Sequence, residues 1–182
     1  MIIDASLGRA TCCGFPGSMP QPVPPSALPV PLPHAEPDAI QIQLATAQTA
    51  LANGAAIPLS GVTRLIGNGL RFDAANHAVA VNEPGVYAFD WHVLVQTAGA
   101  EDPIITLQSL DGQNVLGVSG TLAAAAANGT VISGTAVAAL PAGTSWVLVN
   151  ASGTAFDIPV AGTAPASFAA VLTVTELSGR RR

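Results

Sequence analysis

The chain contains no lysine; all six of its basic residues are arginine, against eleven acidic ones. Charged residues of either sign make up only 9% of its 182 residues. A protein that tracks a phosphate backbone gathers Lys and Arg on one face, so nucleic-acid binding is set aside. A disordered acidic chain needs far more charge and is excluded as well. Long apolar runs are also missing. Hydrophobic residues reach 49% and the mean hydropathy is +0.48. Yet the longest wholly apolar run, residues 122–127, has six residues, where a membrane-spanning helix needs about 20. High hydrophobicity without a span points to strands covered on both faces, or to an oligomer. The start, Met1-Ile2-Ile3-Asp4, has neither the basic nor the apolar region of a classical secretion signal. The expectation is a cytosolic protein, or one that reaches a surface by another route such as lysis of its cell.

Thiols are nearly absent, and the two present are neighbours, Cys12 and Cys13. Bridging to each other would close a strained small ring. Redox catalysis usually shows Cys-x-x-Cys. A metal site needs further ligands nearby, and the nearest histidine is His34. Cross-links between subunits and two free thiols remain open. His34, His77 and His92 lack metal-motif spacing, although His92 shares a strand face with Asp90. The expected role of His92 is a satisfied surface or interface histidine. No Gly-x-Ser-x-Gly elbow occurs, and no helix exists for a phosphate loop to precede. Glu101-Asp102-Pro103 reads as an acidic hairpin loop, and Asp73 with Glu83 is a looser carboxylate pair. One acidic pair falls short of the six to eight oxygens that calcium takes. No nucleophile–base pair emerges, so the chain reads as no enzyme and as needing no cofactor. Asn128-Gly129-Thr130 and Asn150-Ala151-Ser152 match the N-glycosylation pattern, which is short enough to arise by chance. Arg180, Arg181 and Arg182 read as a solvated basic tail; in a trimer, nine such charges would gather near the base, where they could meet Asp4, Glu36 or Asp38.

Proline is unevenly spread: nine of the fifteen lie between Pro16 and Pro37. Proline has no amide hydrogen and keeps its neighbour extended, so this stretch is polyproline II rather than helix. At about 3.1 Å per residue, residues 14–37 can reach roughly 70 Å. A solvated linker would carry polar spacers, but here they are Val23, Leu28, Val30 and Leu32. Apolar side chains on a preformed extended arm suit a groove. Residues 1–37 are therefore read as a Cys-containing connector arm, and residues 38–182 as a separate head.

In the head the period changes to two. Ile40, Ile42 and Leu44 alternate with Gln41, Gln43 and Ala45, which predicts a half-buried strand. The clearest segment is residues 85–95. Tyr87, Phe89, Trp91, Val93 and Val95 fall on one face, with Val86, Ala88, Asp90, His92 and Leu94 on the other. Further strands are expected at residues 70–73, 77–82, 104–110, 115–119, 130–140, 145–150 and 166–177. Turn signals such as Asn53-Gly54, Asp111-Gly112 and Pro141-Ala142-Gly143 separate them. Short strands at this spacing, with no credible helix, predict an all-β sandwich or barrel. Residues 131–140 and 145–149 are apolar on both faces. One face can fill the sandwich and the other a subunit interface.

Two stretches resemble one family. Phe72, then Val79-Ala80-Val81-Asn82-Glu83-Pro84-Gly85-Val86-Tyr87-Ala88-Phe89, resembles the central signature of the tumour-necrosis-factor/complement C1q-like superfamily. That signature has an aromatic, a spacer ending in Pro-Gly, then Gly-x-Tyr-x-Phe. Ser167-Phe168-Ala169-Ala170-Val171-Leu172 resembles, in looser form, its last strand, Ser-x-Phe-x-Gly-x-Leu. Val79 stands where an aromatic is usual and Ala170 where glycine is usual. The Ala-, Val- and Thr-rich strands are similar to the C-terminal head of the collagen-like glycoproteins of the bacterial spore surface, the exosporium. The paired cysteines resemble the connector of endospore appendage subunits. The resemblance implies a ten-strand-type jelly roll with a core around Phe72, Tyr87, Phe89, Trp91 and Phe168. It also implies a compact homotrimer with both chain ends near its base.

The sequence thus reads as a structural, self-assembling protein of a spore or cell surface. Jelly-roll heads would trimerise and join through the arms into a fibre, Cys12 and Cys13 locking the joints. Its partners would be copies of itself and other surface-layer proteins. A trimeric carbohydrate- or receptor-binding head on a tether, and a phage or virion spike, are the alternatives.

Overall fold

The computed structural model describes residues 37–44, 46–97, 102–121, 129–159 and 169–178. Cys12, Cys13, Val23, Leu28, Val30, Leu32 and Phe168 lie outside the described residues, as do Glu101 and residues 123–127. The described residues form twelve strands and no helix. In chain order these are β1 (Ala39–Leu44), β2 (Gln48–Leu51), β3 (Gly61–Ile66), β4 (Leu70–Asp73), β5 (Ala78–Val81) and β6 (Gly85–Val95). They continue with β7 (Ile104–Ser109), β8 (Val115–Gly120), β9 (Thr130–Leu140), β10 (Thr144–Asn150), β11 (Phe156–Ile158) and β12 (Ala170–Glu176).

Ten strands make two five-stranded antiparallel sheets. The first has the order β3-β1-β12-β6-β9 and the second β4-β5-β10-β7-β8; β11 and β2 pair separately. Consecutive strands keep changing sheet: β5 to β6, β6 to β7, β8 to β9 and β9 to β10 all cross. This is the winding of a jelly roll. The strands of residues 70–73, 85–95 and 130–140 have the bounds that their alternation predicts. Three strands were not expected. β3 is exposed at its four central positions and buried at none, so it has no inside–outside alternation to read. β2 and β11 have four and three residues, too short for a period.

The core lies between the sheets and follows the period-two faces. Tyr87, Trp91, Val93 and Val95 are 0% exposed and Phe89 is 1% exposed. Ile40, Ile42, Leu172 and Val174 join them from the first sheet; Val79, Leu107, Trp146 and Leu148 face them from the second. Phe89 meets Trp146 edge-to-face, with centroids 6.4 Å apart at 61°, a favoured aromatic geometry. Phe72 is half-buried and packs against this core.

Trp91 closes one end of the sandwich. Its indole lies against Gly134, its register partner on β9, and against Gly117 on β8. A Cβ on Gly117 would stand 2.7 Å from Trp91 Cη2, and one on Gly134 would overlap Cζ2 and Cε2. The indole Nε1 donates to Ser119 Oγ at 2.8 Å. A large ring fits between the two edge strands only because both neighbours lack a side chain.

β10 corrects one expectation. Its second face, carrying Val147 and Val149, is already 3% and 5% exposed, in a small cluster with Ala78 and Ala56. That face is closed within the chain and is not free for another subunit. Asp73 and Glu83 are also not a pair. Asp73 sits opposite Ala78 at the turn end of the β4–β5 hairpin, while Glu83 follows Val81, which faces Leu70 at the other end. Asp73 instead holds its own turn, accepting from Ala75 N at 3.1 Å and Asn76 Nδ2 at 2.8 Å. These donors hold its carboxyl below the ordinary aspartate value, the Asn76 amide most of all.

β1 and β12 lie side by side and antiparallel in the first sheet, Ala39 opposite Thr175. Residues 37 and 177 therefore leave the head at the same end. Asp38 and Glu176 clamp this exit: Glu176 N donates to Asp38 O at 2.8 Å, and Asn68 N donates to Asp38 Oδ1 at 2.9 Å.

Candidate functional site

The outward face of the first sheet is the broadest candidate surface, and the registers define it row by row. One row runs Arg64, Gln41, Thr173, Asp90, Thr135 across β3, β1, β12, β6 and β9. The next runs Gly61, Gln43, Val171, His92, Ser133. A third runs Ile66, Ala39, Thr175, Ala88, Val137. Five strands at about 4.8 Å span roughly 24 Å, and an eleven-residue strand runs about 36 Å. The side chains are small or apolar, with Arg64, Asp90 and His92 the ionisable ones in these rows.

The face continues into an apolar edge. Val131 and Val137 on β9 are 57% and 63% exposed. On β8, the neighbouring edge of the second sheet, Val115 and Val118 are 54% and 65% exposed. An exposed apolar edge strand is a liability unless something covers it, and contiguous apolar surface marks an interaction site. The expectation that residues 131–140 are apolar on both faces therefore meets a surface on β9 that the chain itself leaves open.

On the β6–β9 side of the face three polar side chains join. His92 Nε2 is 2.9 Å from Asp90 Oδ1, and His92 Nδ1 is 2.8 Å from Ser133 Oγ. Alternation along β6 places Asp90 and His92 on one face. Ser133 comes from β9 by register, which no local pattern in the sequence encodes. A serine, a histidine and an aspartate in line are the groups of nucleophilic catalysis. Here they lie on an open sheet surface, His92 and Asp90 being 56% and 49% exposed. They line neither of the two clefts described next.

A cleft of about 410 Å³ opens where the β7–β8 and β9–β10 turns meet, lined by Ser109, Asp111, Asn114, Thr144 and Trp146 among others. Its polar groups are engaged with one another. Ser109 Oγ donates to Asp111 Oδ1 at 2.5 Å, Gln113 N donates to the same oxygen at 3.0 Å, and Trp146 Nε1 donates to Thr144 Oγ1 at 3.2 Å. The Ser109 hydroxyl, then the Gln113 amide, hold the Asp111 carboxyl below the ordinary aspartate value. Trp146 is 4% exposed and offers no ring face to a ligand. A smaller cleft adjoins Asp102, Ile104, Gly120 and Thr121.

The remaining predicted residues have structural partners. His77, at φ 54°, places Nδ1 2.9 Å from the Leu59 carbonyl. Asn150 is 0% exposed; its amide donates to the carbonyls of Leu51 and Thr154, both at 2.8 Å. Buried and fully hydrogen-bonded, it is no acceptor for a glycan in the folded head. Among the described residues, no three His, Cys, Asp or Glu side chains group as metal ligands. Among them, no helix is long and apolar enough to cross a membrane.

Two five-stranded sheets wound as a jelly roll, with the first and last strands paired inside one sheet, are a fold shared with solved C1q and TNF heads. The globular domain of zebrafish complement 1qA protein matches with a TM-score of 0.56 at 14% identity, covering 79% of this chain and 99% of that one. Murine APRIL matches with a TM-score of 0.57 at 11% identity, over 78% of this chain and 100% of that one. Eiger TNF from S. frugiperda gives 0.57 at 11% identity, over 81% and 96%. At these identities the likeness is one of fold. No protein-family model and no curated protein matches the chain.

Proposed function

We propose that this chain is a structural surface protein. Its jelly-roll heads associate as homotrimers through the outer face of the first sheet and the β8–β9 edge, and the N-terminal arms join trimers into a fibre. The observation that carries the reading is the open face itself. It is sparsely charged and runs into exposed Val131, Val137, Val115 and Val118. Its footprint, on the order of 700 Å² from the strand spacings, is about one partner's share of a stable interface. The fold supports the same reading, because it is that of C1q and TNF heads. The arm and its cysteines support the step from trimer to fibre: nine prolines preorganise residues 16–37, and Cys12-Cys13 precede them. A spore-surface setting follows from the sequence resemblance to exosporium heads. The tethered ligand-binding alternative is less well supported, because the groups lining the larger cleft bond to each other.

Sedimentation of the full chain in reductant tests the core of the reading. The expected species has three times the 18.1 kDa chain mass. A monomer at micromolar concentration refutes it. Electron microscopy without reductant then tests the fibre.

A further inference from the structure

The Asp90–His92–Ser133 cluster has a property that the self-association reading leaves unused. With His92 neutral, one tautomer satisfies both contacts. Nε2–H donates to Asp90, and Nδ1 accepts the Ser133 hydroxyl proton. In that state the cluster carries one net negative charge. The side chains that face it are uncharged: Val171 and Thr173 from β12, Ser133 and Thr135 from β9, and Ala88 and Leu94 on β6 itself. Gln41 and Gln43 stand beyond them on β1. Arg64 shares the Asp90 row, but three strands away, about 14 Å by strand spacing. No closer cation on this face, among the described residues, offsets the carboxylate.

Resting on the reading that a second copy covers this face, we propose that His92 makes the assembly proton-dependent. Association takes up a proton at His92, so the contact tightens as pH falls from 8 to 6. Covering the face strips water from Asp90, and a lone carboxylate under a protein surface is strongly disfavoured. A charged His92 beside it, at 2.9 Å, leaves the pair without net charge, and their attraction grows as water leaves. The geometry tolerates the change. Ser133 Oγ can turn from donor to acceptor when Nδ1 carries a hydrogen.

The sign follows from linkage. A proton held more tightly in the assembled state stabilises assembly below the histidine range, and that contribution is lost as pH rises through it. Each protomer contributes at most one proton, so its share of the association constant changes at most tenfold per pH unit. Asp73 and Asp111 do not compete for the effect. Both are held below the ordinary aspartate value, so both stay ionised from pH 6 to 8.

Sedimentation of the full chain in reductant, from pH 5.5 to 8.5, is the test, with near-ultraviolet circular dichroism confirming that each variant is folded. The wild type should associate at least tenfold more tightly at pH 6 than at pH 8. Asp90→Asn should reverse the slope, because a protonated His92 then buries an uncompensated charge. His92→Gln should flatten it, which also separates His92 from His34 and His77. Ser133→Ala should keep the wild-type direction. An assembly whose strength is flat or rises with pH in the wild type overturns the proposal and leaves the self-association reading standing. So does a wild-type slope that His92→Gln preserves. A wild-type chain that stays monomeric throughout removes both.

Discussion

Gly134→Ala should destabilise the head sharply, although it adds one methyl group to an edge strand. The new Cβ would overlap two atoms of the Trp91 ring and stand 2.9 Å from a third, Cη2. The indole cannot retreat freely, because a Cβ position on Gly117 already lies 2.7 Å from Cη2 and Ser119 holds Nε1 at 2.8 Å. Overpacking of this kind costs about 1–3 kcal/mol. If the ring tilts, the Ser119 hydrogen bond breaks and a buried donor is stranded, costing about 1–3 kcal/mol more. Alanine recovers about 0.5–1 kcal/mol over glycine in a strand. The net expectation is a loss of about 2–4 kcal/mol, a large share of the ~5–15 kcal/mol that usually holds a domain together. For a chain of this size the melting point should fall by roughly 4–16 °C. Denaturant titration at one fixed protein concentration measures it, since association would otherwise shift the midpoint. Trp91→Phe in the Gly134→Ala background should recover part of the loss, with a coupling above about 1 kcal/mol. If Gly134→Ala lies within about 0.5 kcal/mol of wild type, the range of an ordinary surface change, the indole is not wedged between the two edges as described.

Val137→Glu, on the exposed face of β9, should leave the head folded and abolish association; unchanged sedimentation would remove β9 from the contact. Acid unfolding should depend on the β7–β8 turn. Asp111 is held below its ordinary value, so its contribution is present above the normal aspartate range and fades as pH falls through the depressed one. Asp111→Asn should therefore shrink the stability difference between pH 5 and pH 2.5, read by denaturant midpoints. Cys12→Ser with Cys13→Ser should remove reductant-sensitive ladders from non-reducing gels and weaken the fibre to heat while the head keeps its melting point. Deleting residues 1–37 should give free trimers; fibres of unchanged repeat from the deleted chain would reduce the arm to a tether.

What could be read from the sequence follows from how each feature is encoded. β6 was legible because five large residues alternate without a break, and alternation is a local property. Asp90 and His92 came with it, two positions apart on one face. Ser133 did not, because the register of β9 against β6 is set by the whole sheet. β3 hid for the opposite reason: an edge strand exposed on both sides has no pattern to betray it. Apolarity on both faces, read in β9 and β10 alike, had two meanings. In β9 it is surface, and in β10 the second face packs on Ala78 and Ala56. Sequence counts apolar faces but does not say which the chain covers for itself. Gly117 and Gly134 also read as unremarkable until Trp91 stood between them.

Residue 37 leads directly into β1, which has β12 on one side and β3 on the other. A pull on residue 37 therefore loads β1 along its own axis. Six residue pairs with β12 and five with β3 resist that pull, and because the ladder bonds lie across the strand they strain in parallel rather than peeling one after another. A strand at the sheet margin would unzip under the same load. If the arm tethers heads into a fibre as proposed, its attachment to an interior strand makes that joint strong in shear, as a link in a chain under tension must be.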